Sequence, residues 1–495
     1  MSERPFLMGS ETEFGISSLD PSEQNHITNS LRLVGFCPDL PSPECIWDYL
    51  GENPLLDLYG RRLEGEREDP DLYSNRALNK PLQNGGRLYV DGAHPEYSTP
   101  EVTDPLDLVR YECAGEWIVD RCRQMVDRIS PGRGFALYKN NSDGKGNSYG
   151  YHENYLVPRS LPVDILVAGL VPYLITRQVF CGAGKVGAEH DRPGVAFQMS
   201  QRADFFETLA DINTMVRRPL FNTRDEAHAD REKWLRLHVI PGDSNMSQVS
   251  TFLKVGTMAL VLRLIEDDAL GSPPQPVEPV EAFWCISRDL TLRHEVRLKS
   301  GGTMTALGIQ RWYLEQVQAY AREHPLPGSF PEVIQRWEAV LNALENDPLS
   351  PDREVDWVIK HTMIDSYLRH KGLGWDSPKA KAMDIRYHDL DPANGLFFSL
   401  RRRDWVSHLV GPEEIANAAK SAPEDTRAWF RGQCLSRFGK AVYGVSWSSV
   451  MLDVGDEVRR IPTVHPHRGT RKIAESLFDA CDTAGELVAL LEQGQ

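Results

Sequence analysis

The sequence predicts an α+β protein with a small C-terminal α/β unit. Three observations carry this. Short strand-like segments crowd the stretch before residue 160. Long amphipathic or apolar helical segments follow between residues 251 and 344. From about Pro423 the character shifts to short mixed elements. Strands segregated from helices point to α+β rather than to alternating βα units. At 495 residues the chain is too long for one ordinary domain. Residues 1–422 are therefore expected to form one large domain, with a loop insertion over about 48–84, and residues 423–495 a small C-terminal domain.

Residues 6–17 read as an opening strand carrying Glu-x-Glu. Residues 47–86 are polar and turn-rich, with a charged run from Arg61 to Asp69, and read as a long, mobile surface insertion. Residues 87–91 form a strand. Asp104-Pro105 then supplies an N-cap and first-turn proline for a helix to about Ile129. Residues 135–138 and 149–157 read as strands around a Gly/Asn-rich turn. Residues 251–267 form a strongly apolar, buried helix, and 271–279 a Pro-rich surface crossover. Residues 307–322 and 331–344 are amphipathic helices, and an apolar-striped helix over 473–491 closes the pattern.

Composition narrows the function. With 41% hydrophobic and 25% charged residues the balance is that of a soluble globular protein. No apolar run approaches the roughly 20 residues of a membrane helix, and the N-terminus shows no secretory signal, so no membrane role is expected. The formal net charge is -16, from 55 Lys plus Arg against 71 Asp plus Glu, which disfavours nucleic acid as a partner. Eight scattered Cys without a C-x-x-C pair read as reduced thiols of a cytoplasmic protein.

Several constellations could carry chemistry. Glu11 and Glu13, two apart on a strand, project from one face. Either a divalent cation relieves their repulsion or the face is simply solvated. Arg87, Tyr89 and Asp91 share a face in the same way. Arg suits phosphate, and Asp suits a base or nucleophile. An Arg87–Asp91 pair is too distant for direct contact on a strand, at about 13 Å. Glu96 adds a third carboxylate near Asp91, and such oxygen ligands favour Mg²⁺ or Mn²⁺ over zinc. His152 and Asn154 share a strand face, where the His is a ligand or a structural residue. His238, ahead of the apolar helix, is a site residue or a loop His beside a helix cap. Arg202 and Arg224 are anion clamps or surface salt-bridge partners.

Two motif matches fail on context. Gly182–Gly187 fits G-x-G-x-x-G but opens no apolar helix, as a dinucleotide fold requires. Gly146–Gly150 fits G-x-S-x-G but leads into a strand rather than a helix. What remains is a carboxylate-rich metal site with His and Arg, suited to Mg–ATP handling on a sheet without a P-loop.

The segments GSETEFGIS (9–17), GRLYVDGAHPEYSTPE (86–101), YKNNSDGKGNSYGYHENYL (138–156), SQRAD (200–204), NTRDEAHAD (222–230), HVIPGDSN (238–245), TRAWFRG (426–432) and SWSSV (446–450) together resemble the Pup ligase/deamidase family. The resemblance implies a fold similar to glutamine synthetase and the carboxylate–amine ligases: a curved antiparallel sheet packed by helices. The family has two activities. One ligates the small protein modifier Pup to lysines with ATP. The other deamidates the C-terminal Gln of Pup and cleaves Pup from pupylated proteins. The opening GSETEFGISS and the insertion after Trp47 resemble the deamidase/depupylase branch. Two features depart from it: the insertion is charge-rich rather than Ala/Pro-rich, and Gly92 stands where that branch often carries His.

Carried over residue by residue, the resemblance implies that Glu11, Tyr89 and Glu96 hold Mg²⁺, with Glu13, His152 and His238 as further ligands. Arg87, Thr99 and Trp447 would contact ATP, the Trp stacking on adenine. Asp91 would be the catalytic carboxylate, and Arg202 and Arg224 would steady phosphate and the oxyanion. ATP would be a cofactor rather than a consumed fuel. Pup, acidic and disordered in this family, would need a basic, partly apolar groove. The competing expectations are a Pup–protein ligase, a small-molecule carboxylate–amine ligase, and a non-catalytic nucleotide- and Pup-binding regulator.

Overall fold

The computed structural model describes residues 5–38, 44–63 and 69–493. The expected α+β class is what it has. Its centre is a six-stranded sheet built from β1 (Met8–Glu13), β2 (Asn79–Pro81), β3 (Arg87–Asp91), β4 (His94–Ser98), β5 (Tyr151–Pro158) and β6 (Trp234–Val239). The spatial order is β6-β5-β1-β4-β3-β2, and every neighbouring pair is antiparallel.

The strand period of two sorts these residues onto two faces. Leu88, Tyr97, Tyr151, Tyr155, Leu235 and Leu237 take the buried face. The helices Pro105–Ile129 and Gln248–Glu266 pack there. Asp104 caps the first helix, accepting from the Leu106 amide at 2.8 Å with Pro105 in the first turn, as expected. Gly115 lets that helix press on Tyr97, because a Cβ there would stand 2.2 Å from the ring. Gln248–Glu266 is the one helix among the described residues long and apolar enough to cross a membrane, and it is buried in the core. Ion pairs lie under the sheet. Arg177 grips Glu153 through two bonds of 2.9 and 2.5 Å. Lys139 donates to Glu112 at 2.6 Å, and Glu112 also accepts from Tyr151 at 2.8 Å.

Three local expectations are corrected. The opening strand does not run unbroken over 6–17. After β1 the chain bends at Phe14, whose amide bonds Pro95 O, and Gly15–Ser18 pairs instead with Phe135–Tyr138. Gly15 permits the bend, since a Cβ would meet the Tyr149 hydroxyl at 2.4 Å.

The segment 47–86 is not wholly an irregular surface loop. Leu72–Leu78 is a helix capped by Asp71, and β2 follows as the sheet's edge. The buried Asn75 carboxamide holds the Trp47 backbone from both sides, accepting from its N–H and donating to its C=O, each at 2.8 Å. Residues 64–68 of the expected charged run lie outside the described residues.

The closing helix is two helices, Arg471–Asp479 and Ala484–Gln493. Between them Thr483 Oγ1 accepts from the Glu486 amide, and Glu486 accepts from the amides of Asp482 and Thr483. This reciprocal capping starts a new helix where the apolar stripe alone suggests continuity.

A second hydrophobic core gathers Trp429, Phe430, Val445, Val450, Phe478 and Leu487 with Cys45 and Trp47. Its four-stranded sheet runs Val458–Pro462, Ser449–Asp453, Val442–Val445, Ile46–Trp47. The last strand comes from the N-terminal part of the chain and pairs in parallel with Val442–Val445.

Candidate active site

The other face of the main sheet floors a cleft of 1540 Å³. Register assembles it. Glu11 stands opposite His152 on one side and Ser98 on the other, Glu13 opposite Glu96, and Tyr89 opposite Glu96. His238 stands opposite Asn154 on a strand, so the alternative of a loop His beside a helix cap does not hold.

Two clusters result. In each, one ligand atom per residue lies within 4.8 Å of the others. The first is Glu11, His152 and His238. Asn154 donates to Glu11 at 3.0 Å, and Arg236 lies 3.3 Å from the same oxygen. Burial alone would raise the Glu11 pKa. The His152 hydrogen bond and the Arg236 charge outweigh it and hold the carboxyl at about 2. Burial, reinforced by the Arg236 charge, drives His238 well below its ordinary value, so its imidazole is neutral. Neither of its buried ring nitrogens has a partner, so the neutral ring is free to offer a lone pair to the cluster.

The second cluster is Glu13, Asp91 and Glu96. Burial and then the Asp91 charge raise Glu13 to about 7. The same two causes raise Glu96 well above the usual carboxylate range. Tyr89 donates its hydroxyl to Glu96, while the second Glu96 oxygen is buried without a partner. Burial and the Glu96 charge keep that phenol protonated. Asp91 differs from its neighbours in being exposed. It ends β3 at a two-residue hairpin whose Gly92 has φ of +54°, a conformation glycine adopts freely. The two donor sets, one all-oxygen and one mixed oxygen and nitrogen, with an unsatisfied atom in each, fit divalent cations.

The arginines line the same cleft. Arg87 is sandwiched between the Trp47 ring at 4.1 Å and the Tyr89 ring at 3.9 Å. It donates to Asn79 at 3.0 Å and to the Tyr49 hydroxyl at 3.2 Å. Arg202 is 1% exposed, so it is no surface salt-bridge partner. It donates to Ile240 O at 2.5 Å and leaves its Nε unpartnered, as does Arg224. Burial and the neighbouring Arg218 lower the Arg202 pKa to about 10. Thr99 and Trp447 share a pocket with Glu11 and Glu101, and Trp447 also borders the main cleft. They line a mainly apolar side pocket reached past Glu11 and Ser98. There the Thr99 hydroxyl accepts from the Ser10 amide at 3.0 Å, and the Trp447 ring meets Trp47 edge-on at 5.1 Å.

Sequence reasoning missed Arg236, Glu226, Arg218 and Tyr49, all of which line the cleft. Arg236 was within reach of the same-face rule, standing two residues before His238. It bonds Asn154 at 2.7 Å and lies 3.3 Å from Glu226. Glu226 and Tyr49 come from irregular segments, where no period applies. The two rejected motifs behave as expected: Lys185–Val186 is a short strand, and Gly150 leads into β5. All eight cysteines are free thiols.

Comparison with known proteins gives the family. The family described as Pup-ligase protein matches residues 6–451. The depupylase of Acidothermus cellulolyticus is 43% identical over 500 residues, spanning 99% of each chain. The Pup deamidase/depupylase of Mycolicibacterium smegmatis is 41% identical over 495 residues, spanning 98% of this chain and 99% of that one. The crystal structure of Pup with its ligase PafA has a TM-score of 0.81 at 32% identity, covering 99% of this chain and 94% of that one. The Pup ligase PafA in complex with ADP has a TM-score of 0.74 at 35% identity, covering 85% and 97%. A match of this extent, on a sheet carrying this carboxylate face, shows that the chain belongs to the Pup-ligase protein family.

Proposed function

We propose that the chain is an ATP- and Mg²⁺-dependent hydrolase of Pup. It deamidates the C-terminal Gln of Pup and cleaves the isopeptide bond between Pup and lysines of pupylated proteins, in the cytoplasm. The observation that carries this is the full-length similarity to a depupylase and a Pup deamidase/depupylase, at 43% and 41% identity. The carboxylate clusters at the cleft floor agree with it.

Glu13 and Glu96 on one side, and Glu11, His152 and His238 on the other, would hold Mg²⁺, with Tyr89 orienting Glu96. The nucleotide would lie with its base in the side pocket against Trp447, beside Thr99, and its phosphates toward Arg87. When bound, the metal and nucleotide supply Lewis-acid polarisation and charge neutralisation. Asp91, the exposed carboxylate of its cluster, meets the scissile carbonyl. Arg202 and Arg224 offer unpartnered guanidinium donors to the oxygen on which charge develops. Residues 1–422 form the catalytic domain in this reading. Residues 423–495 form a small domain that contributes the Trp447 wall.

The test is mass spectrometry of purified protein with Mg²⁺, ATP, Pup ending in Gln, and a Pup–lysine conjugate. Conversion of Gln to Glu, or release of free Pup, without matching ADP is expected. New conjugate formed from Pup ending in Glu, with one ADP per bond, would make the chain a ligase instead.

A further inference from the structure

We propose that Asp243 is the positioning residue for Arg202, fixing its guanidinium at the cleft wall through the loop 200–202. The inference rests on the functional reading above, in which Arg202 donates to the oxygen where charge develops.

Arg202 lines the cleft but has little of its own to hold it there. Among the described residues its guanidinium makes one hydrogen bond, to Ile240 O at 2.5 Å. The neighbouring Arg218 repels it. A long cationic side chain with one anchor takes its place from its backbone, and that backbone hangs on Asp243. Asp243 Oδ1 accepts from Ser200 Oγ, and Oδ2 from the Gln201 amide, each at 2.9 Å. Ser200 Oγ in turn accepts from the amides of Arg202 and Ala203, each at 3.1 Å. Two hydrogen bonds thus connect the carboxylate to the Arg202 backbone.

The carboxylate is itself held. Oδ2 also accepts from the Ala183 amide at 2.9 Å. Gly182 allows this approach, because a Cβ there would stand 2.4 Å from Met199 O. The glycine that begins the rejected G-x-G-x-x-G match therefore serves close packing. The Asp243 carbonyl accepts from the buried Lys254 ammonium at 2.7 Å, which also bonds Asn245 Oδ1 at 2.8 Å. Ile240 and Asp243 belong to one segment, 238–245. That segment grips Arg202 at both ends, by a carbonyl on the guanidinium and a carboxylate under the backbone. The same segment begins with His238 of the first cluster, so one stretch of chain sets both the ligand and the arginine. A carboxylate is required at 243. Three donors converge on its two oxygens, whereas asparagine offers one acceptor oxygen and would turn an amide N–H toward a donor.

The test is a double-mutant cycle on the single-turnover rate of Gln-to-Glu conversion in Pup, with saturating ATP and Mg²⁺. Asp243→Asn should slow this step by about 10- to 100-fold. Dissociation constants for Pup and for a fluorescent ATP analogue should stay within about twofold of wild type. Arg202→Lys keeps the charge and loses the planar fork, so it should slow the same step. Adding Asp243→Asn to it should cost no more than about twofold further. Ser200→Ala should act as a milder Asp243→Asn, and it closes the same cycle if the Asp243 variant does not fold. An aspartate that only stabilises the fold would slow both backgrounds equally. Losses that multiply in the double variant, or a wild-type rate in either folded single variant, would overturn the assignment and leave the hydrolase reading standing. Wild-type protein that never converts Gln would overturn both.

Discussion

Glu13 and Glu96 stand directly opposite each other across β1 and β4, with their carboxylates on one face of the sheet. Burial and the nearby Asp91 charge raise Glu13 to about 7 from an ordinary 4.5, and raise Glu96 well above its ordinary value too. The unfolded chain gives up the Glu13 proton near its ordinary value, whereas the folded chain keeps it to about 7. Across that window the folded state binds more protons, so stability falls as pH rises. Ion-free protein should therefore lose thermal midpoint between about pH 5 and 7.5. Glu13→Gln should flatten that slope, and Mg²⁺ should raise the midpoint more at the alkaline end. Calorimetry across pH with chelator or Mg²⁺ checks this; a midpoint independent of pH and metal would contradict it.

Asp91 is the exposed member of its cluster and lies in a tight hairpin rather than in the packed sheet centre. Asp91→Ala should lower kcat by about 10³-fold or more and leave nucleotide affinity and thermal stability close to wild type. Turnover and nucleotide titration on the same preparation check it.

Asn75 reaches Arg87 by two routes: it brackets the Trp47 backbone, on whose ring Arg87 stacks, and it accepts from Asn79, which in turn accepts from Arg87. Asn75→Ala would leave the buried Trp47 N–H and C=O without partners and should destabilise by about 2 kcal/mol. The loosened Arg87 should weaken nucleotide binding several-fold more than it changes KM for Pup. A loss of stability with unchanged nucleotide affinity would break the proposed link.

Arg177 and Glu153 form an ion pair with side chains 1% and 0% exposed. Removing one partner strands the other in the core. Arg177→Met should cost about 3–5 kcal/mol, measured by urea unfolding, whereas the double substitution Arg177→Met, Glu153→Gln should recover part of that.

The carboxylate face was readable because strands impose a period of two. Glu11 and Glu13, and Tyr89 and Asp91, had to point together wherever the strands were placed. The pairing that brings His238 and His152 beside Glu11 was not readable, because register between distant strands is set by packing rather than by local pattern. The break before Ala484 was written in Thr483 and Glu486 but was masked by a continuous apolar stripe. The clamp on Arg87 was hidden for another reason. Tyr49 and Asn75 lie in a stretch whose composition reads as loop, and their partners become apparent only once Ile46–Trp47 is seen to join a distant sheet. Arg218 carries no local pattern at all, and only its unsatisfied Nε marks it.

That joining has a consequence for biosynthesis. A ribosome delivers residues 46 and 47 long before residues 442–445, the strand they pair with. Until that strand emerges, Trp47 has no sheet to join, and the ring against which Arg87 rests is only half supported. A chain ended before residue 442 lacks both the strand that pairs with Ile46–Trp47 and the Trp447 wall. The cleft is therefore whole only once the final stretch of the chain has been made.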